Sequence, residues 1–186
     1  MRHRYDTRGI VLSRTPSGET SALLVILTPE LGLIRARAQG LRASGAKLAA
    51  ALATLAESDL ALMRGKEGWR VAGAVLVRNR FGELKDADAR RAAARVCGLV
   101  QRLVAGETPE TALYGIVDGF LGALARGREA ADAAEVVCAL SVLSALGLDD
   151  GALPADAFSP DALASVAGAR SGYVERINRG IAASGL

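Results

Sequence analysis

The sequence predicts an α+β chain, with a small β-barrel over residues 1–80 and an α-helical domain over residues 81–186. Three observations carry this. The first 80 residues hold five short runs of strand character divided by turn signals. Beyond them the apolar period changes to that of helices. The charge divides at the same place: residues 1–80 contain 13 basic and 6 acidic side chains, a net of +7, and residues 81–186 contain 10 and 14, a net of −4. A two-layer sandwich is the competing architecture for the first part, but it usually needs more strands.

Gly9–Leu12 is an aliphatic run closed by the turn-rich stretch Ser13 to Gly18. Ala22–Leu27 is a continuous apolar run of strand length. Pro29 and Gly32 then mark a turn, Pro29 through its fixed φ and Gly32 through its access to positive φ. From Leu33 to Ala38 the sequence alternates, with Leu33, Arg35 and Arg37 on one face and Ile34, Ala36 and Ala38 on the other. Gln39–Ser44 reads as a loop, and Ala46–Ala56 as a short helix or an extended connector. Ser58–Met63 alternates again around Leu60 and Leu62. Arg64–Gly68 is a turn, and Trp69–Val77 resumes as a strand.

Helices follow. Asp86–Val104 is rich in Ala, Arg and Leu. Thr108 is a candidate cap, with Pro109 in first position, for a helix running towards Leu124. Ala130–Leu146 ends at Gly147, a natural stop. Pro160–Val166 and Gly172–Ala183 are shorter candidates. The stripes through Leu113, Val117, Leu121, Val136, Leu140 and Leu143 read as core.

Composition excludes several kinds of chemistry. A chain of 186 residues, 51% hydrophobic, can bury a core without staples. Cys97 and Cys138 are too few for a four-cysteine zinc site and read as buried thiols, so no metal or other cofactor is expected. His3 is the sole histidine, which leaves little material for a nucleophile–base pair. Glu67 with Asp59 makes an unconvincing carboxylate pair, and Arg64–Gly68 lacks phosphate-loop spacing, so an enzyme is not expected. No apolar run reaches the ~18 residues of a spanning helix. The first residues do not lead into a signal-type segment, which makes a cytoplasmic location the expectation.

The basic first part points to nucleic acid. Arg14, Arg35, Arg37, Arg42, Lys47, Arg64, Lys66 and Arg70 are spread through its strands and loops. Guanidinium groups grip phosphates through several donors, and lysine adds a mobile point charge. Aromatic residues are sparse: before Phe81 there are Tyr5 and Trp69. Trp69 fits a core or packing role better than a base-stacking platform, so phosphate contact should outweigh stacking.

In their order, several segments resemble the bacterial DNA repair protein RecO family. They are Thr7–Leu12, Gly18–Glu19, Thr28–Gly32, Ala38–Arg42, Asp59–Leu62 with Arg64–Lys66, and Leu140–Leu148 with its Leu-Gly step. The resemblance implies an N-terminal OB-fold barrel and a helical domain. It also implies binding and annealing of single- and double-stranded DNA, and loading of RecA together with RecR in the nucleoid. The helical domain would receive the acidic, apolar-ended tail of single-strand-binding protein, with Arg126 and Arg128 as candidate contacts. Many members carry a four-cysteine zinc module after the Leu-Gly helix. Residues 151–157 contain no cysteine here, so zinc is not implied.

Overall fold

The computed structural model of the protein describes residues 3–39, 45–104, 106–107, 111–127, 131–154 and 156–185. The chain forms two compact units. One is Met1–Glu83 with Ala105–Thr111, and the other is Leu84–Val104 with Ala112–Leu186.

The first unit contains β1 (His3–Pro16), β2 (Ala22–Thr28), β3 (Gly32–Ala38), α1 (Gly45–Ala51), β4 (Ala56–Gly65), β5 (Gly68–Asn79) and the single-turn α2 (Arg80–Glu83). The strands close into a barrel in the order β1-β2-β3-β5-β4. β1 is shared: residues 10–16 pair with β2 and residues 3–10 pair with β4. A bulge between Val11 and Ser13 bends it from one partner to the other. β4 and β5 carry two further register shifts that add curvature. Closure comes from a short parallel contact, with Ala36 opposite Trp69 and Arg37 opposite Arg70.

The interior is filled by Val11, Leu24, Ile26, Ile34, Leu60 and Leu62, with Leu52 and Trp69 in the same cluster. Gly9 must lack a side chain, since a Cβ there would lie 2.7 Å from Ile26 Cγ2 and 2.9 Å from Leu60 Cδ1. Of the segment Ala46–Ala56, expected as helix or connector, the part to Ala51 lies in the helix α1, residues 52–55 turn, and Ala56 opens β4. The end of α1 is tied to the barrel by Ser58 Oγ, which donates to the Ala51 carbonyl at 2.7 Å. β1 begins six residues before the expected Gly9 because His3–Arg8 pair with β4 along a largely exposed stretch that carries no apolar signal. Leu33 is buried opposite Leu27, so the exposed face of β3 is that of Arg35 and Arg37 alone.

Arg80 and Glu57 form a buried ion pair. Arg80 Nε and Nη2 lie 2.9 and 2.7 Å from Glu57 Oε2, and both side chains are nearly inaccessible. The Arg80 backbone N–H also donates to the Leu55 carbonyl at 3.1 Å. Together these contacts fix the exit of β5 to the start of β4.

The second unit holds α3 (Ala87–Leu103), α4 (Thr111–Ala125), α5 (Ala131–Ala145), α6 (Pro160–Gly168) and α7 (Arg170–Ala183). Asp86 caps α3 by accepting from the Ala89 N–H at 2.8 Å. Ser159 caps α6 with Pro160 in the first turn. The candidate cap Thr108 and Pro109 lie outside the described residues. α5 is buried over most of its circumference, and α3, α6 and α7 pack on it. Gly180 lets α7 approach closely, since a Cβ there would lie 2.9 Å from Leu143 Cδ1. Cys97 and Cys138 are both buried thiols, and desolvation pushes Cys97 up to about 12. Among the described residues no helix is long and apolar enough to cross a membrane.

Asp149 and Arg176 bind face to face, Nε to Oδ1 at 3.1 Å and Nη2 to Oδ2 at 2.6 Å. The Arg176 guanidinium also lies 5.6 Å from the Tyr173 ring centroid. The hydrogen bond from Arg176 holds the Asp149 carboxyl below its ordinary range.

Two outcomes follow. Glu57→Ala removes the nearer carboxylate of the buried Arg80, leaving Glu83 at 4.0 Å, and should destabilise the first unit by about 3 kcal/mol in urea unfolding, the lower end of the usual cost of breaking a buried pair. A loss below about 1 kcal/mol would contradict that role. Because Asp149 is lowered in the folded state, its contribution is complete above the unfolded carboxylate range near ~3.9 and disappears as pH falls through the folded value. The advantage of the wild-type chain over Asp149→Asn in thermal unfolding should therefore be constant near neutrality and shrink below about pH 4. An advantage that does not change with acidification would contradict the pairing.

Candidate nucleic-acid interface

The closing contact of the barrel organises its outer face. Arg37 is in register with Leu23 on one side and Arg70 on the other, Arg70 with Met63, and Met63 with Arg4. Arg37, Arg70 and Arg4 are exposed along this line. Arg35 is also exposed, two residues from Arg37 on β3 and about 7 Å away along the strand. Arg70 Nη2 donates to Gln39 Oε1 at 3.0 Å, which uses one of the five N–H donors of an exposed guanidinium. Arg4 is partly neutralised by Asp6 at 2.9 Å. Among the described residues Arg35, Arg37 and Arg70 meet no carboxylate within ion-pair distance.

Arg70 also lines a groove of about 690 Å³ at the β4–β5 turn, together with Arg64, Lys66, Gln39 and Glu67. Three sequence-predicted cations thus share one concave surface. Arg64 differs from the other two. Its guanidinium lies 5.0 Å from the Trp69 ring centroid, and it is ion-paired with Glu107. Trp69 is 4% exposed and belongs to the core, as its sequence setting suggested. Tyr5 meets it edge-on, with centroids 5.0 Å apart and planes at 72°.

The other predicted cations are not in this arrangement. Arg14 Nη1 reaches the Ala49 carbonyl of α1 at 3.4 Å, and Lys47 is exposed on the same helix. Arg42 lies outside the described residues. Sequence reasoning missed Arg4, Gln39 and Tyr5. Tyr5 and Thr7, strand formers two residues apart, were the available sign that β1 starts early.

The helical unit has its own groove, of about 840 Å³, between α3, α5 and α7. Leu99, Val136, Ala139, Val174, Ile177 and Ile181 give it an apolar lining, and Arg95, Arg102 and Arg170 give it basic groups. Arg95 is bound to Glu135 at 2.6 and 2.5 Å, and this hydrogen-bonded pairing raises its pKa further. Arg126, expected as a partner contact, does not line this groove. Its Nη2 donates to the Phe158 carbonyl and so holds the chain ahead of α6. Arg128 lies outside the described residues.

A closed five-stranded barrel with an open arginine row, followed in the same chain by a helical unit, defines a two-part α+β protein with a basic first part. Residues 1–83 match the family described as recombination protein O N terminal. Over its first 83 residues the chain therefore matches the RecO family, and its similarity to RecO proteins continues into the helical unit. It is 33% identical over 144 residues to the DNA repair protein RecO of Gloeobacter violaceus, covering 77% of this chain and 55% of that relative. It is 28% identical over 127 residues to the DNA repair protein RecO of Dehalococcoides mccartyi, covering 68% and 50%. It is 30% identical over 125 residues to that of Rubrobacter xylanophilus, covering 67% and 50%. The chain spans about half the length of these curated relatives.

Proposed function

We propose that this chain binds DNA through its barrel and acts in DNA repair as a recombination mediator. In this reading the barrel is an OB-fold. It holds single- and double-stranded DNA by phosphate contact, promotes annealing, and works with RecR in loading RecA. The carrying observation is the register that sets Arg37 beside Arg70, with Arg35 on the same exposed face and Lys66 in the adjoining groove. Such a surface grips a polyanion without reading its sequence. Lys47 and Arg14 add charge from the region of α1. The work needs no nucleophile, because pairing and partner exchange supply the free energy. A cytoplasmic, nucleoid-associated location follows from the same reading.

The α3–α5–α7 groove is our proposed seat for the tail of single-strand-binding protein. Its apolar lining suits the apolar end of that tail, and Arg102 and Arg170 suit the acidic residues before it. This moves the proposed contact away from Arg126, whose guanidinium is engaged with Phe158.

Two measurements test these assignments. The triple variant Arg35→Ala, Arg37→Ala, Arg70→Ala should flatten the dependence of log K on log salt for single-stranded DNA by about 2, at ~0.7 for each phosphate no longer neutralised. An unchanged slope would remove the arginine row from the interface. Arg102→Glu with Arg170→Glu should weaken binding of a tail peptide more than about tenfold, while DNA affinity stays within about twofold. Undiminished peptide binding would place the tail elsewhere.

A further inference from the structure

One recess on the barrel has a chemistry that phosphate contact does not use. It measures about 320 Å³ and is lined by Tyr5, Glu30, Leu31, Arg64, Trp69 and Glu107. That volume falls at the lower end of the ~300–1,000 Å³ typical of small-molecule sites. Arg64 lines both this recess and the basic groove containing Lys66 and Arg70, so the two surfaces adjoin at that side chain.

The two surfaces differ in charge. The groove carries three cations against Glu67, whereas the recess carries two carboxylates against the one guanidinium. A phosphate entering the recess would meet net negative charge. An uncharged, planar group rich in donors would find what it needs. Tyr5 is 38% exposed and is held by edge contact with the buried Trp69, so its ring offers an anchored stacking surface. Glu30 is positioned by the Thr7 hydroxyl, which donates to its Oε2, and Glu107 is positioned by Arg64. A carboxylate oxygen accepts more than one hydrogen bond, so Glu30 retains acceptor capacity.

We infer that this recess receives one unpaired guanine base from a single strand whose backbone lies in the adjoining basic groove. The inference rests on the proposed reading of the barrel as the DNA-binding face. Guanine alone among the four bases presents two adjacent donors, N1–H and the N2 amino group, to a single carboxylate. Adenine, cytosine and thymine each offer such an acceptor one donor group. Recognition of a splayed base combines stacking with hydrogen bonds to its pairing edge. Glu30 takes the two donors and Tyr5 takes the face of the ring. Trp69 forms part of the same wall, and among the described residues its buried indole N–H meets no acceptor.

Trp69 is the only tryptophan in the chain, so its fluorescence reports on this recess directly. The experiment titrates the full chain with three oligonucleotides: dT15, the same strand with one central guanine, and the same strand with inosine at that place. Binding is read by anisotropy of a label on the DNA and, separately, by Trp69 emission. The guanine strand should bind about tenfold tighter than dT15 and change the Trp69 emission more. Inosine, which lacks the N2 amino group, should lose most of that gain. Glu30→Gln should abolish the guanine preference while leaving dT15 affinity within about twofold. Equal affinity for the three strands would overturn the proposal, as would a guanine preference that survives Glu30→Gln or leaves Trp69 emission unmoved. If no strand changes the anisotropy, the DNA-binding reading fails, and the recess proposal fails with it. That result is distinct from binding without guanine preference.

Discussion

The parallel contact between β3 and β5 spans only Ala36–Trp69 and Arg37–Arg70, yet the barrel closes through it. Without it the five strands would leave two unpaired edges, each with a row of unsatisfied N–H and C=O groups. Two residue pairs supply little backbone energy, so closure leans on what lies beneath them. Ala36 is small and fully buried, and opposite it Trp69 fills the space with the largest side chain in the chain. α1 also packs against β5. The same register that sends Trp69 inward sends Arg70 outward beside Arg37. Core packing and the basic surface therefore follow from one constraint.

Arginine is used in two ways in this protein. Some guanidinium groups are consumed by structure: Arg80 by Glu57, Arg176 by Asp149, Arg95 by Glu135, and Arg126 by a carbonyl. Each is held by a specific acceptor, and the first two are largely shielded from water. Others stand in solvent on the barrel and, among the described residues, meet no carboxylate, as Arg35, Arg37 and Arg70 do. Only this second group keeps its donors for an external anion. The net charge of +7 over residues 1–80 overstates the available charge, because Arg64 and Arg78 are ion-paired with Glu107 and Glu83, which lie outside that span.

Much of this division is legible in the sequence. β2 and β3 follow from a short apolar run and a period of two, and that period already places Arg35 with Arg37. Helix boundaries at Asp86 and Ser159 follow from side chains that cap. Other features depend on contacts distant in sequence. Nothing local says that Arg70 lies beside Arg37, because the pairing joins positions 33 residues apart through a parallel register. Tyr5 and Thr7 give only a weak local sign of strand, because their half of β1 is otherwise polar and finds its partner in β4. The helical groove is hidden for another reason. An apolar stripe reads as core, and Val136 is both nearly buried and part of the groove wall.

The central claim is that DNA lies on the barrel and not on the helical unit. Photo-crosslinking the full chain to a single strand carrying 5-iodouracil, followed by mass spectrometry of the peptides, tests it most directly. Adducts are expected within residues 35–39 and 63–72, the two stretches that bear Arg35, Arg37, Lys66 and Arg70. Adducts confined to residues 84–104 and 112–186 would contradict it.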